Sequence, residues 1–262
     1  AVAVLINFIS GTELWITALI VLLATLIYTL YGGLRASIFT DNIQMIVIAV
    51  LLLISVIYIF SFTGNEFSFE FVKEKNPQLL SWSYVPSYTA GLTFFIAVAA
   101  TNLFHQGNWQ RVFSAKNNSI LKSSLIYSSI IIFFIVFWMG YSGLISYSLN
   151  SKVIPDLAFF DLILNNKNSL IIIGILILAM SLTLSTIDTL INAISSLIIV
   201  DGNQINKFLS GKEIKAKANL IILFLSAIVF ILASKGYSIL YLFLLADLLC
   251  CAAVITIFYG FF

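Results

Sequence analysis

The stretch Met180-Ser-Leu-Thr-Leu-Ser-Thr-Ile-Asp-Thr-Leu-Ile-Asn-Ala193 sets one carboxylate among hydroxyls and an amide inside a long apolar run. An acid at mid-bilayer costs at least about 2.5 kcal/mol on the most lenient scale, so its presence there is a functional signal. On a helix advancing about 100° per residue, Ser181, Ser185, Asp188, Asn192 and Ser195 fall within about 80° of arc. They form one polar stripe, and such a stripe points to an ion path.

A second polar concentration follows the apolar run Phe94 to Ala100: Thr101, Asn102, His105, Gln106, Asn108, Gln110 and Arg111. Asn102 and Gln106 are four apart, which on a helix puts both amides on one face. Amides donate and accept, so this face suits a small neutral or zwitterionic solute. Bonding to neighbouring helices is the competing reading. His105 is either a proton carrier, being poised to change charge near neutrality, or an interhelical contact. Trp109 and Arg111 fit interfacial anchoring.

Two further acids stand out. Asp41, in Tyr31-Gly-Gly-Leu-Arg-Ala-Ser-Ile-Phe-Thr-Asp-Asn-Ile-Gln44, is read either as an N-terminal helix cap or as part of an ion exit extended by Gln44. Gly32 and Gly33 permit a tight turn just before it. Asp247 lies inside the last apolar run and either lines the path or bonds a neighbour.

The elements that position these groups are membrane helices. The chain of 262 residues is 61% hydrophobic and 9% charged, with a mean hydropathy of +1.09, against about a quarter charged in soluble domains. A net charge of +2, dispersed along the chain, excludes nucleic acid as a partner. No zinc-hydrolase, nucleophile-elbow or phosphate-loop motif supports an enzyme. Cys250 and Cys251 are adjacent in an apolar run and read as packing residues. The chain begins at Ala1 with no basic leader and is read as a piece of a longer protein.

Runs long enough to span lie near 13–31, 37–60, 89–109, 119–148, 169–200, 218–235 and 237–260, with residues 1–8 as a helix stub. The expected whole is one transmembrane domain over 1–262, with about seven spans. Placing the 32–36 loop in the cytosol assigns Arg35, Arg111, Lys116, Lys122, Lys207, Lys212, Lys215 and Lys217 to the inner side, eight of thirteen basic residues. Lys73, Lys75, Lys152, Lys167 and Lys235 are then outside. The outer stretch 61–88 reads as a polar lid or loop. In 150–167, Pro155 and Asp156 suit the first turn of a short helix.

Three motifs in this order resemble the sodium:solute symporter family: Tyr31 to Gln44, Trp109-Gln-Arg-Val-Phe-Ser-Ala-Lys116, and Ser185-Thr-Ile-Asp-Thr189 followed by Asn192. The resemblance implies an all-α membrane protein, with the five-plus-five inverted-repeat helical bundle of leucine-transporter-like carriers, here incomplete. It implies sodium as the coupling ion, no other cofactor, a small polar solute as partner and the plasma membrane as location. Carried over by position, Ser185, Thr186 and the carbonyl of Leu182 match the main sodium site, and Asp188 with Thr189 a further one in some relatives. Asp41 matches an acid near the inner exit. Asn102, His105, Gln106 and Asn108 are the expected solute contacts. The first core helices, which complete the main site in the family, are expected to lie outside this chain. A membrane sensor or structural module built on a transporter-like domain is the alternative function.

Overall fold

The computed structural model describes residues 2–164, 168–205 and 210–260. Among these the regular structure is helical, without a strand. In chain order the helices are α1 (Val2–Ser10), α2 (Leu14–Thr63), α3 (Phe69–Lys75), α4 (Val85–Phe104), α5 (Gln106–Ser114), α6 (Asn118–Leu149), α7 (Ala158–Leu164), α8 (Ser169–Ile205), α9 (Gly211–Ser234) and α10 (Ile239–Tyr259). Lys167 and Lys207 lie outside the described residues.

Six of these, α2, α4, α6, α8, α9 and α10, are long and apolar enough to cross a membrane. Their most apolar windows are no more than 22% buried within the chain. Side chains such as Phe95, Phe133, Phe134 and Ile255 are therefore exposed, as expected where lipid or further protein supplies the apolar surroundings.

The count differs from the expected seven because α2 joins two runs. Its 50 residues would extend about 75 Å at 1.5 Å per residue, more than twice the roughly 30 Å hydrocarbon core. The helical assignment is interrupted at Gly33, with φ 60° and ψ −154°. Those angles are essentially reserved for glycine, because a Cβ would clash with the backbone. Gly33 thus divides α2 into arms 14–32 and 34–63. Gly32 is constrained differently: a Cβ there would collide with the Ala36 Cβ. The second arm begins at residue 34, so Asp41 sits two turns inside a helix and is not the N-cap that its sequence context allowed.

The 89–109 run is also divided. Helix α4 ends at Phe104, His105 adopts φ −77° and ψ 96°, and α5 starts at Gln106. Asn102 and Gln106 consequently stand on different helices, and the shared amide face expected from their spacing does not form. By contrast α8 runs unbroken for 37 residues, about 56 Å at the standard rise.

The chain groups into two compact units. The first comprises Ala1–Leu53, Gln106–Gln110 and Ile172–Tyr237; the second comprises Ile54–His105, Arg111–Ile171 and Ser238–Phe262. The core of the first includes Leu26, Ile191 and Ile222, ringed by Leu22, Leu30, Ile187 and Ile194. In the second, α4 packs on α10 and α6 on α7. An aromatic cluster of Phe60, Phe67, Trp138 and Tyr141, with adjacent ring centroids 4.4 to 5.4 Å apart, fastens the loop after α2 to α6.

Asp156 does something its local sequence does not announce. It lies in a 3-10 turn, Pro155–Leu157, and its carboxylate accepts the backbone N–H groups of Ile239 at 3.0 Å and Leu240 at 3.3 Å. It thus satisfies otherwise orphan donors at the start of α10, in the favourable field of a helix N-terminus.

Replacing Gly33 with Ala is expected to destabilise the folded protein by about 1–3 kcal/mol, the cost of holding a Cβ-bearing residue in that region. Thermal unfolding of the full-length protein in detergent measures this. An unchanged midpoint would remove Gly33 as the required break.

Candidate functional site

The break at Gly33 lets residues on either side of it converge on α8. Asp188 is fully buried, with 0% of its surface exposed. Three hydroxyls lie within hydrogen-bond distance of its carboxylate. Tyr28 Oη, before the break, donates to Oδ2 at 3.1 Å. After it, Ser37 Oγ donates to Oδ1, and Thr40 Oγ1 lies 3.1 Å from Oδ2. Thr40 is also within donating distance of the Ala36 carbonyl at 3.0 Å and the Ser37 carbonyl at 2.9 Å, so its hydroxyl is held in place by its own helix.

One turn earlier on α8, Ser185 Oγ donates to Asp41 Oδ1 at 2.6 Å. One turn later, Asn192 Nδ2 donates to the Asp188 backbone carbonyl at 3.2 Å. All these residues belong to the first unit. The result is an oxygen-rich cluster of Tyr28, Ser37, Thr40, Asp41, Ser185 and Asp188. Its donor set suits a hard cation, which takes carboxylate, hydroxyl and carbonyl oxygens. Asp188 has no basic partner among the described residues, so its hydroxyl bonds reduce the cost of burial without neutralising the charge.

The polar stripe continues beyond Asp188. Asn192, Ser195 and Ser196 line a cavity of about 270 Å³ together with Gly33, Gln110 and Lys215. The buried Thr29 also lines it. Polar space thus lies directly next to the carboxylate cluster.

The cluster gathers Asp41, Ser185 and Asp188 but not every expected ion ligand. Thr186 is exposed and its hydroxyl donates to the Leu182 carbonyl at 2.9 Å. Leu182 and Thr186 thus meet through their helical spacing on a different face from Ser185, and the unbroken α8 supplies no distortion to reconcile them. Thr189 is half-buried. Tyr28 and Ser37 were not singled out as ligands by sequence reasoning. The signal available was the glycine pair: a tight break at Gly33 brings a hydroxyl from the arm before it and others from the arm after it to one level.

The expected solute contacts are divided between the units. In the second unit, Asn102 is exposed and its Nδ2 donates to the Val98 carbonyl at 2.8 Å. His105 forms the break after α4, and its Nδ1 is buried without a partner. In the first unit, Gln106 is half-buried and Asn108 exposed. Next to the break, Thr101 Oγ1 donates to Asp247 Oδ1 on α10. Asp247 is 1% exposed and its Oδ2 has no partner among the described residues.

Membrane-spanning helices that enclose a carboxylate cluster of this composition define an integral membrane protein with a candidate cation site. The chain belongs to the sodium:solute symporter family, whose sequence pattern matches residues 1–261. That family is one of sodium:solute symporters. Among curated proteins it is similar to the spermidine transporter DUR31 of Candida albicans, with 24% identity over 258 residues, 97% of this chain and 48% of the relative. The chain therefore spans about half the length of that relative. No solved structure matches it.

Asp188→Ala is expected to lower stability more than Ser37→Ala or Thr40→Val, because it removes the acceptor shared by Tyr28 and Ser37 at once, whereas Thr40 keeps the carbonyls of Ala36 and Ser37. Individual hydrogen bonds in membrane proteins average about 0.6 kcal/mol and reach about 1.7, so the single hydroxyl variants should each cost about 1 kcal/mol. Unfolding of the full-length protein in detergent ranks the three. Equal losses would show that the hydroxyls do not converge on Asp188.

Proposed function

We propose that this chain forms the ion-coupling part of a sodium-driven symporter for a small polar solute in the plasma membrane. The carrying observation is Asp188: a wholly buried carboxylate whose side-chain partners are hydroxyls, with a second carboxylate, Asp41, bonded to Ser185 one turn earlier on α8. A bound cation supplies the positive charge that the hydroxyl partners of Asp188 do not. Family membership supports sodium as that cation.

In this reading Asp188, Asp41, Ser185, Ser37, Thr40 and Tyr28 hold one ion, with Thr189 beside them. Thr186 and the Leu182 carbonyl form a separate ligand pair on the adjoining face, completed by groups outside this chain. The nearby cavity, lined by Asn192 and Ser195, is the path by which the ion leaves. Asn102, His105, Gln106 and Asn108, around the break between α4 and α5, contact the solute. We read residues 1–262 as one transporter domain of the five-plus-five inverted-repeat type, in which broken helices frame the binding sites near the midplane. Ion binding favours one arrangement of the bundle, and release follows the change to the other.

The similarity to a spermidine transporter makes a polyamine the first solute to test. Uptake into vesicles containing the full-length protein, screened over spermidine, urea, proline, sugars and carboxylates, tests the reading directly. Accumulation of one of them that requires a sodium gradient is the expected result. Asp188→Asn and Ser185→Ala should raise the sodium concentration for half-maximal uptake by about tenfold or more, corresponding to about 1.4 kcal/mol of lost ion binding. Unaltered sodium dependence in both would sink the assignment of this cluster to the ion.

A further inference from the structure

We infer that Asp247, paired with Thr101, is a proton-binding site separate from the carboxylate cluster at Asp188. Both residues lie in the second unit, where α10 packs on α4. Asp247 is the buried residue of α10, whereas its neighbours Leu248 and Leu249 are exposed. An apolar helix thus encloses its one acid and leaves the side chains beside it outside. Ala97, one turn before Thr101 and on the same face of α4, is buried as well.

The hydrogens at this pair can be counted. The Thr101 hydroxyl has a single hydrogen and two acceptors in reach, the Ala97 carbonyl at 3.0 Å and Asp247 Oδ1. When the acid is charged, that hydrogen goes to Oδ1. When the acid is neutral, its own O–H donates to Thr101 Oγ1 and the Thr101 hydrogen turns to Ala97. The second arrangement is the usual bond of a helical threonine. Thr25, Thr183 and Thr186 each donate in this way to the carbonyl four residues earlier. Uptake of a proton from solvent therefore reverses one hydrogen bond and completes another. The carboxylate gains an O–H bond, no other covalent bond changes, and no side chain has to move.

The remaining oxygen selects the proton over other cations. Asp247 Oδ2 is enclosed and has no partner among the described residues. A bare buried oxygen is more costly on a charged carboxylate than on a neutral acid, and a bound proton removes that difference. A hard metal cation gathers a shell of oxygens, but Thr101 supplies the one side-chain oxygen bonded to Asp247 among the described residues. A proton needs neither a shell nor a cavity. Asp188 differs in this respect, with Tyr28, Ser37 and Thr40 all within bonding distance.

Other titratable groups on the two helices are few. Apart from Asp247, α4 and α10 contain no Asp, Glu, Lys or Arg. His105 follows Thr101 by four residues at the end of α4, and its Nδ1 is enclosed with no partner among the described residues. Cys250 and Cys251 are half-buried on α10, and Tyr88, Tyr241 and Tyr259 are exposed. Because Asp247 is enclosed, its proton enters and leaves when the contact between α4 and α10 opens.

Infrared difference spectra of the purified full-length protein in lipid vesicles, recorded between mildly acidic and mildly alkaline buffer, test the assignment. In wild type the carbonyl-stretch band of a neutral carboxylic acid should be lost on alkalinisation, and Asp247→Asn should lack that band. Asp188→Asn and His105→Gln should retain it. In Thr101→Val the band should persist at a shifted frequency, because the acid O–H has lost its acceptor. A Thr101 with only a structural role leaves the band where it is. If Asp247→Asn does not fold, the shift in Thr101→Val carries the assignment. A wild type without a titrating carboxylic band, the same band in Asp247→Asn, or an unmoved band in Thr101→Val would overturn the inference. Absence of sodium-dependent uptake in the wild type, with the band intact, would count against the symport reading alone.

Discussion

A carboxylate placed among apolar side chains must be solvated by the protein itself, and Asp188 is solvated by hydroxyls that the chain can deliver only by breaking a helix. Ser37 and Thr40 reach it from the arm after Gly33, and Tyr28 from the arm before. A straight α2 would carry Tyr28 and Ser37 about 14 Å apart along its axis, nine residues at 1.5 Å each. The glycine-only angles at residue 33 therefore connect three features: two arms of workable length, a convergent set of oxygens, and a fixed position for that part of α8. The charge itself is not cancelled by those hydroxyls, which is why the cluster suits a mobile cation.

The acids of this chain are stabilised in different ways. Asp188 receives three hydroxyls and is fully enclosed. Asp247, equally buried, receives one, from Thr101, and keeps an unpaired oxygen. Asp156 instead accepts two backbone N–H groups at the start of α10. Glu66 and Asp161 face a cavity with no such partner. The helix-capping acid is met by backbone N–H groups, whereas Asp188 and Asp247 meet only hydroxyls among the described residues.

Much of the site is legible in the amino-acid sequence alone. The spacing of Ser185, Asp188 and Asn192 places them on one stripe of α8, and the motif around Asp41 points to the same chemistry. In the structure Ser185 bonds Asp41, and Asp188 bonds the residues just before Asp41. Sequence reasoning fails where it assumes a continuous helix. Asn102 and Gln106 lose their common face because His105 leaves the helical region between them. Asp41 loses its cap role because its helix has already started at residue 34. Tyr28 escapes notice because no periodicity relates residues across a break.

By itself the sequence determined the membrane class, the approximate spans and the polar stripe on α8. These follow from local rules: hydropathy measures the cost of burial in lipid, and helical geometry relates residues three and four apart. Only the tertiary structure decided which hydroxyls meet Asp188, and that Asp156 caps a helix more than eighty residues on. Those pairings depend on where a chain bends and what packs against it, and a bend at a single glycine changes distances far along the chain without altering any local pattern.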